Sequence, residues 1–245
     1  MINKEQVKLI FSNKTTVFDI LFYVSFFISI VISITMEKKQ LLYTLPIVII
    51  AIILKYINVT KKEANPVFIF ALLVVLVSNI VSLYNFTDYF IWATITKSIY
   101  YICCTIILKA YLSKGKLKSV LSLSVLLGFL LVSYIIYAVL DLLIAHLPDN
   151  TLFFTLLCAF CLVVYSIVFA MIYINDNYDN ATILLASGVF SIFQTVLVPI
   201  NEFFLYKNIF TVLIIVCNIL SLYLLMKFIS ETKIIDVKDV KERYV

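Results

Sequence analysis

Eight long runs of apolar residues, separated by short polar breaks, occupy most of this 245-residue chain. The runs cover residues 17–35, 41–57, 66–84, 89–111, 117–139, 151–174, 180–199 and 207–229. At a rise of about 1.5 Å per residue, each run is long enough to cross the hydrocarbon core of a bilayer as a helix, the second being the shortest. The runs are continuous, whereas the strands of a membrane barrel alternate polar and apolar residues. The sequence therefore predicts an all-α polytopic integral membrane protein, a bundle of eight transmembrane helices.

The composition leaves no room for a separate soluble domain, because 64% of the residues are apolar and only 13% are charged. We expect one eight-helix transmembrane domain over residues 17–229. It is flanked by a cytoplasmic N-terminal segment, 1–16, and by a charged cytoplasmic tail, 230–245.

Local signals mark several ends of the predicted helices. Asn65 and Pro66 are typical of a cap and a first-turn proline at the start of the third helix. Pro199 is expected to close the seventh helix, and Pro46 to lie inside the second, where a membrane tolerates it. The break between the third and fourth helices is so short that those helices must be antiparallel neighbours.

The basic residues are distributed unequally between the two sides that alternate along such a bundle. One side holds fifteen of them: Lys4, Lys8, Lys14, Lys55, Lys61, Lys62, Lys109, Lys114, Lys116, Lys118, Lys227, Lys233, Lys238, Lys241 and Arg243. The other side holds only Lys38, Lys39 and Lys207, and Lys97 lies inside a helix. By the positive-inside rule, we expect an inner or plasma membrane location with both termini in the cytoplasm.

Several kinds of chemistry are disfavoured by the residue inventory. With only three glycines, the chain has no glycine-rich loop for a nucleotide phosphate, and its single histidine, His146, has no metal-ligating neighbours at suitable spacing. A net charge of +5 spread along the chain does not indicate a nucleic-acid surface. We expect no cofactor, metal, nucleotide or nucleic acid, and membrane lipids as the partners.

Polar side chains inside the predicted helices are the candidate binding residues. A lysine at the centre of a membrane helix costs about 2.5–3.5 kcal/mol, so Lys97 needs a partner or water. Asn79, Gln194 and Thr195 lie at a similar depth on the third and seventh helices, and Asn218 lies somewhat deeper on the eighth. One hypothesis is a polar cavity in the outer half of the bilayer, lined by these residues. The alternative is that the amides hydrogen-bond between helices while Lys97 extends to the outer head groups.

The carboxylates near the membrane are fewer. Asp19 and Asp88 stand near predicted helix starts, where an acid complements the helix dipole, and Asp141 and Glu202 are assigned to outer loops. Glu202 follows Pro199 at the mouth of the hypothetical cavity, so it is the candidate general acid, with Lys97 as the other candidate catalytic residue. The five cysteines all fall within helices and are interpreted as packing residues.

Two segments resemble the YhhN family of membrane proteins. In "NPVFIFALLVVLVSNIVSLYNF", Pro66 matches a family Lys-Pro pair, and Ser78-Asn79 occupies the place of a Gly-Asp motif. In "ASGVFSIFQTVLVPINEFF", Gly188, Asn201 and Phe203 match, and Gln194-Thr195 occupies the place of a Ser-Asp motif after a one-residue gap. The resemblance covers residues 17–229 and implies the eight-helix fold.

The resemblance also implies a function, because characterised members of that family are lysoplasmalogenases, which hydrolyse a vinyl ether. This reaction protonates a carbon and adds water, and a pair of carboxylates can do both. Here both family carboxylates are replaced, by Asn79 and Thr195. The leading hypothesis is therefore a lysoplasmalogenase-like ether hydrolase in which Glu202 or Lys97 transfers the proton, or a protein that binds lysoplasmalogen or another lysophospholipid. A non-catalytic lipid-binding protein of the same fold and a small-solute transporter are the alternatives.

Overall fold

The computed structural model describes residues 17–112, 123–144, 147, 151–175, 177–204 and 206–234. Within these residues the chain forms eight α-helices: α1 (Val17–Thr35), α2 (Leu41–Thr60), α3 (Pro66–Tyr84), α4 (Phe90–Lys109), α5 (Leu123–Ile144), α6 (Leu152–Ile174), α7 (Ala181–Phe203) and α8 (Asn208–Glu231). Single turns of 3₁₀-helix, Lys38–Gln40 and Lys61–Glu63, precede and follow α2. The predicted N-terminal segment and most of the predicted tail lie outside the described residues.

Seven of the helices are long and apolar enough to cross a membrane. Among the described side chains of α5, the apolar stretch is Val132–Ile144, which is shorter than the other seven. The prediction of an all-α membrane bundle is thus confirmed for α1–α4 and α6–α8.

The helices pack as antiparallel hairpins. The most extensive helix contacts join α7 to α8, α3 to α4, and α1 to α2, and α6 packs against both α4 and α7. We call the end of the bundle that carries the connections α1–α2, α3–α4 and α7–α8 the mouth end. The short connection 85–89 predicts that α3 and α4 are neighbours, and the contacts between these two helices confirm it.

Local signals in the sequence are confirmed at α2 and α3. The Asn65 side chain accepts a hydrogen bond from the Val67 amide at 2.9 Å, and Pro66 is the first helical residue. Pro46 lies inside α2.

The prediction that Pro199 closes the seventh helix is wrong, because α7 continues to Phe203. A proline removes one backbone hydrogen bond, but a buried membrane helix has few other ways to satisfy its remaining backbone groups. The last turn is also held from α8, since the Asn201 amide donates to the Thr211 hydroxyl at 3.2 Å and accepts from the Lys207 backbone at 3.1 Å. Glu202 therefore lies on a helix rather than in a loop.

Asp141 was also assigned to a loop, and this too is wrong, because α5 extends to Ile144 instead of ending near residue 139. Asp141 is exposed, while Leu140 and Leu143 face the interior of the bundle. One acidic residue on an outward face does not end an otherwise apolar helix. The predicted start of this helix, residues 117–122, lies outside the described residues.

A partly buried ion pair joins α1 to α2. The Lys55 ammonium lies 2.5 Å from the Asp19 carboxylate and 3.0 Å from the Tyr223 hydroxyl of α8. The sequence analysis treats Asp19 only as a helix-start residue, and no local pattern pairs it with Lys55. Farther along α1, Ser25, Ser29 and Ser33 are buried, so small side chains allow this helix to approach its neighbours closely.

Candidate functional site

A cavity opens inside the mouth end of the bundle. The space within it that is open to the centres of water-sized molecules is about 170 Å³. Its lining comes from α2, α3, α4, α5, α6, α7 and α8 and from the connection between α3 and α4. Most lining side chains are apolar, among them Leu45, Leu83, Phe90, Ile136, Val139, Leu140, Leu143, Ala159, Leu162, Val196, Val198, Ile214 and Ile215.

Lys97 lies at the inner part of this cavity, on α4. Its ammonium donates a hydrogen bond to the Gln194 side-chain oxygen at 2.6 Å. The same ammonium lies 5.3 Å from the ring centroid of Tyr100 and 5.5 Å from that of Tyr101, within the range of cation–π attraction. The contact with Gln194 fixes α4 against α7 at this depth.

The charge of Lys97 has no counter-ion in the part of the chain that the structure describes. The two ion pairs found there are Lys38–Glu202 and Lys55–Asp19. An ammonium carries three donors, and one of them is used by Gln194. A membrane-depth cation held only by an amide oxygen and two aromatic rings is incompletely compensated, because unpaired charge is costly in a low dielectric.

Asn79 supplies a second unused donor. Its side chain is 9% exposed and lines the cavity, and its amide nitrogen has no hydrogen-bond partner among the described residues. The adjacent Ser78 hydroxyl donates to the Ala93 carbonyl of α4 at 3.5 Å, so Asn79 lies at about the depth of Ala93. Ala93 is one helical turn before Lys97. The two free donors are therefore within about one turn of each other in depth.

Thr195 is held by one hydrogen bond within α7 and by another to α4. Its hydroxyl donates to the Ser191 carbonyl at 2.8 Å and hydrogen-bonds to the Tyr101 hydroxyl. Tyr101 also lies 3.3 Å from the Ser191 hydroxyl. This arrangement fixes the Tyr101 ring beside the Lys97 ammonium, so Thr195 orients the site as well as lining it.

At the mouth of the cavity an ion pair joins Lys38, just before α2, to Glu202 near the end of α7. Both side chains are largely buried, with 20% and 17% exposure, and the Lys38 ammonium lies 5.9 Å from the Phe86 ring centroid. A more polar hollow, the vestibule, lies outside this pair and shares Lys38, Leu83, Phe86 and Glu202 with the cavity. Glu202 is eight residues from Gln194 on α7, so the mouth pair lies about 12 Å from the level of Lys97.

All six residues proposed from the sequence line this one cavity: Asn79, Lys97, Gln194, Thr195, Glu202 and Asn218. Depth along the helices predicted similar levels for Asn79, Lys97, Gln194 and Thr195, with Asn218 somewhat deeper and Glu202 at the mouth. The packing of the helices turns all six toward one space. Of the two candidate catalytic residues, Glu202 is at the mouth and Lys97 is deep. Their chemical roles stay predictions.

Sequence reasoning missed two residues that shape the site. Tyr101 is four residues after Lys97 on α4, and this spacing places both on one helix face, so it could have been included. Lys38 gave no comparable signal, since it lies before a helix and meets Glu202 only through the tertiary fold.

The cysteines are buried and free, as their interpretation as packing residues predicts, and Cys158 also lines the cavity. No cluster of three or more metal-ligating side chains occurs in the described ranges. His146 lies outside those ranges.

Comparisons with models of protein families, with curated proteins and with solved structures find no match to this chain.

Proposed function

We propose that this protein binds a single-chain phospholipid, of the lysophospholipid class, in the cavity at the mouth end. The observation that carries the proposal is the position of Lys97, a cation without a counter-ion among the described residues, inside a largely apolar cavity. An amphiphile with a phosphate matches that combination, because the phosphate compensates the charge and the acyl chain fills the apolar space. The resemblance to YhhN proteins supports the same substrate class.

The apolar and the polar side chains that line the cavity lie mainly on different helices. The side chains of α5 and α6 that line it are apolar apart from Thr155 and Cys158, so they form a wall suited to hydrocarbon. The polar groups are concentrated on α3, α4 and α7. A ligand with one polar end and one apolar chain therefore matches the distribution of the lining.

Filling the cavity tests this proposal. Ala159 lines the cavity on α6, whereas Ala138 on α5 is exposed. We expect Ala159→Phe to weaken binding of an oleoyl lysophospholipid by about tenfold or more. The phenyl ring would occupy space in the cavity that the acyl chain otherwise fills, so less of the chain would be buried. Ala138→Phe adds the same side chain outside the cavity and should bind as the wild type does. Binding is measured by native mass spectrometry on purified protein, and equal binding by both variants would contradict the proposal.

Cleavage of the bound lipid is a second candidate function, favoured by the carboxylate of Glu202 in the cavity lining. Glu202 in its acid form would donate a proton to the vinyl ether carbon of a lysoplasmalogen. Water would add to the carbon bonded to oxygen and return a proton to the Glu202 carboxylate. The hemiacetal would then collapse, with its hydroxyl proton passing to the leaving oxygen, to release an aldehyde and a glycerophospho-alcohol. The pair with Lys38 would have to open first, since the lysine holds the carboxylate. Aldehyde release that disappears in Glu202→Gln would support hydrolysis, and its absence in folded wild-type protein would leave binding alone.

The placement in the membrane is part of the proposal. Helix α5 is the eighth crossing, because its 22 residues at about 1.5 Å each reach across the hydrocarbon core. The fifteen-to-three distribution of basic residues supports cytoplasmic termini in an inner or plasma membrane, with the mouth end on the opposite side. Labelling in intact cells with a membrane-impermeant thiol reagent tests this orientation. A cysteine placed at exposed Lys39, at the mouth end, should react, whereas one at exposed Lys61 should not.

A further inference from the structure

The charges that line the cavity do not balance. Lys38, Lys97 and Glu202 are the charged residues among the described lining. Lys38 and Glu202 neutralise each other at the mouth, so Lys97 leaves one positive charge at the inner part. A zwitterionic ligand adds no net charge and would leave this imbalance, whereas an anionic ligand removes it.

The hydrogen-bonding groups near Lys97 also favour an oxyanion. The ammonium keeps donors that Gln194 does not use, and the Asn79 amide nitrogen has no partner among the described residues. Both groups donate, and a carboxylate or phosphate offers several acceptor oxygens to them. The hydroxyl of Thr94, also in the lining, already donates to the Phe90 carbonyl at 2.7 Å.

A cationic head group has no partner at this depth within the described part of the chain. The carboxylate of Glu202 is about 12 Å away along α7 and is paired with Lys38. The Tyr100 and Tyr101 rings, which could hold a quaternary ammonium, lie against the Lys97 ammonium itself. A choline next to a phosphate bound at Lys97 would be repelled by that lysine.

We propose that the cavity selects a single-chain amphiphile that ends in an oxyanion, a carboxylate or a phosphate monoester, held by Lys97 and Asn79, over zwitterionic lysophospholipids. This inference rests on the proposed lipid-binding function. It restricts the lysophospholipids to those that end in a phosphate monoester and extends the ligand class to fatty acids. The acyl chain then extends along the apolar side chains of α5, α6 and α8.

Four ligands that share one acyl chain test the selection: oleate, oleoyl glycerol phosphate, oleoyl lysophosphatidylcholine and mono-oleoyl glycerol. At least one of the two anionic ligands should bind about tenfold or more tightly than the zwitterionic ligand, since only the zwitterionic ligand brings a second cation close to Lys97. Competition between oleate and oleoyl glycerol phosphate shows whether the site prefers a carboxylate or a phosphate monoester. Binding is measured by competition in native mass spectrometry of the purified full chain.

One variant and a matched control test whether Lys97 produces the preference for anionic ligands. Lys97→Met should weaken the binding of the anionic ligands about tenfold or more and so remove their preference over oleoyl lysophosphatidylcholine. Lys39→Met, which removes a vestibule lysine that does not line the cavity, should keep the preference and controls for general attraction at the mouth end. If Lys97→Met does not fold, Asn79→Leu decides, and it should reduce the preference several-fold.

Equal binding of the zwitterionic and anionic ligands would overturn the selection while leaving lipid binding intact. An unchanged preference in Lys97→Met, or in Asn79→Leu where that variant decides, would also overturn it. Failure of all four ligands to bind would overturn the proposed function, and the selection with it.

Discussion

Replacing Gly188 by alanine should destabilise the bundle, although the same change usually stabilises a helix. Gly188 lies in α7, where a Cβ atom would come within 2.4–2.6 Å of three atoms of the Phe169 ring on α6. These separations are about 1 Å shorter than an ordinary carbon–carbon contact. The ring therefore has to move before alanine fits.

The surroundings of Phe169 resist that movement. The ring is 4% exposed and packs edge-on against Tyr165, with the centroids 5.3 Å apart. Tyr165 in turn stacks on Tyr101 at 5.5 Å, and Tyr101 holds Thr195 in the cavity wall. Displacement of Phe169 thus transmits strain toward the site.

The size of the effect follows from two opposing contributions. Overpacking a tight interior costs about 1–3 kcal/mol, while alanine gains at most about 1 kcal/mol over glycine in a helix. We expect a net loss of about 1–2 kcal/mol in the free energy of unfolding. The assay is reversible unfolding of the purified protein in mixed micelles with increasing denaturing detergent, followed by circular dichroism.

A double-mutant cycle isolates the clash. In a Phe169→Leu background the ring is absent, so Gly188→Ala should be neutral or stabilising there, with a coupling energy of about 1–3 kcal/mol. If Gly188→Ala stabilises the wild-type protein, or costs the same in both backgrounds, the close approach of α6 and α7 at this residue is refuted.

Three further predictions concern other parts of the fold. Lys55→Met should lower the unfolding free energy by about 1–3 kcal/mol, because it removes the ion pair with Asp19 and the hydrogen bond to the Tyr223 hydroxyl. In a double-mutant cycle with Asp19→Asn the two losses should be less than additive, and strictly additive losses would contradict the pairing. Tyr101→Phe should lower stability by about 1–2 kcal/mol through loss of its hydroxyl contacts, whereas Tyr137→Phe, at an exposed residue, should change it little; equal effects in thermal unfolding would argue against the contacts. Burial raises the pKa of the Tyr111 hydroxyl, which lies beyond the end of α4, to about 12, so the folded state keeps it neutral while the unfolded state ionises near the ordinary value of 10.0. The stabilisation of the folded state by the neutral Tyr111 hydroxyl is present below pH 10 and is lost as the pH rises toward 12. Tyr111→Phe should therefore flatten the stability–pH curve between pH 10 and 12, as measured by chemical unfolding.

Much of the fold follows from local sequence signals. The apolar runs predicted the helix starts to within one residue, except for α5, whose predicted start lies outside the described residues. The runs are informative because helix formation satisfies the backbone groups of a chain inside a membrane. Asn65 and Pro66 marked the start of α3 correctly, since capping depends on adjacent residues. Pro199 misled the prediction, because the contacts of Asn201 with Thr211 and the Lys207 backbone come from another helix.

For the candidate site, too, some features follow from the sequence and others only from the tertiary structure. The sequence by itself determined which side chains are polar at membrane depth, and therefore that Lys97 needs compensation. Only the tertiary structure decided that Asn79, Gln194, Thr195 and Asn218 face the same cavity as Lys97, because depth fixes one coordinate and helix rotation fixes the others. Pairs such as Lys38 with Glu202 depend on residues that are far apart in the chain. No local pattern encodes them, so they emerge only when the helices pack.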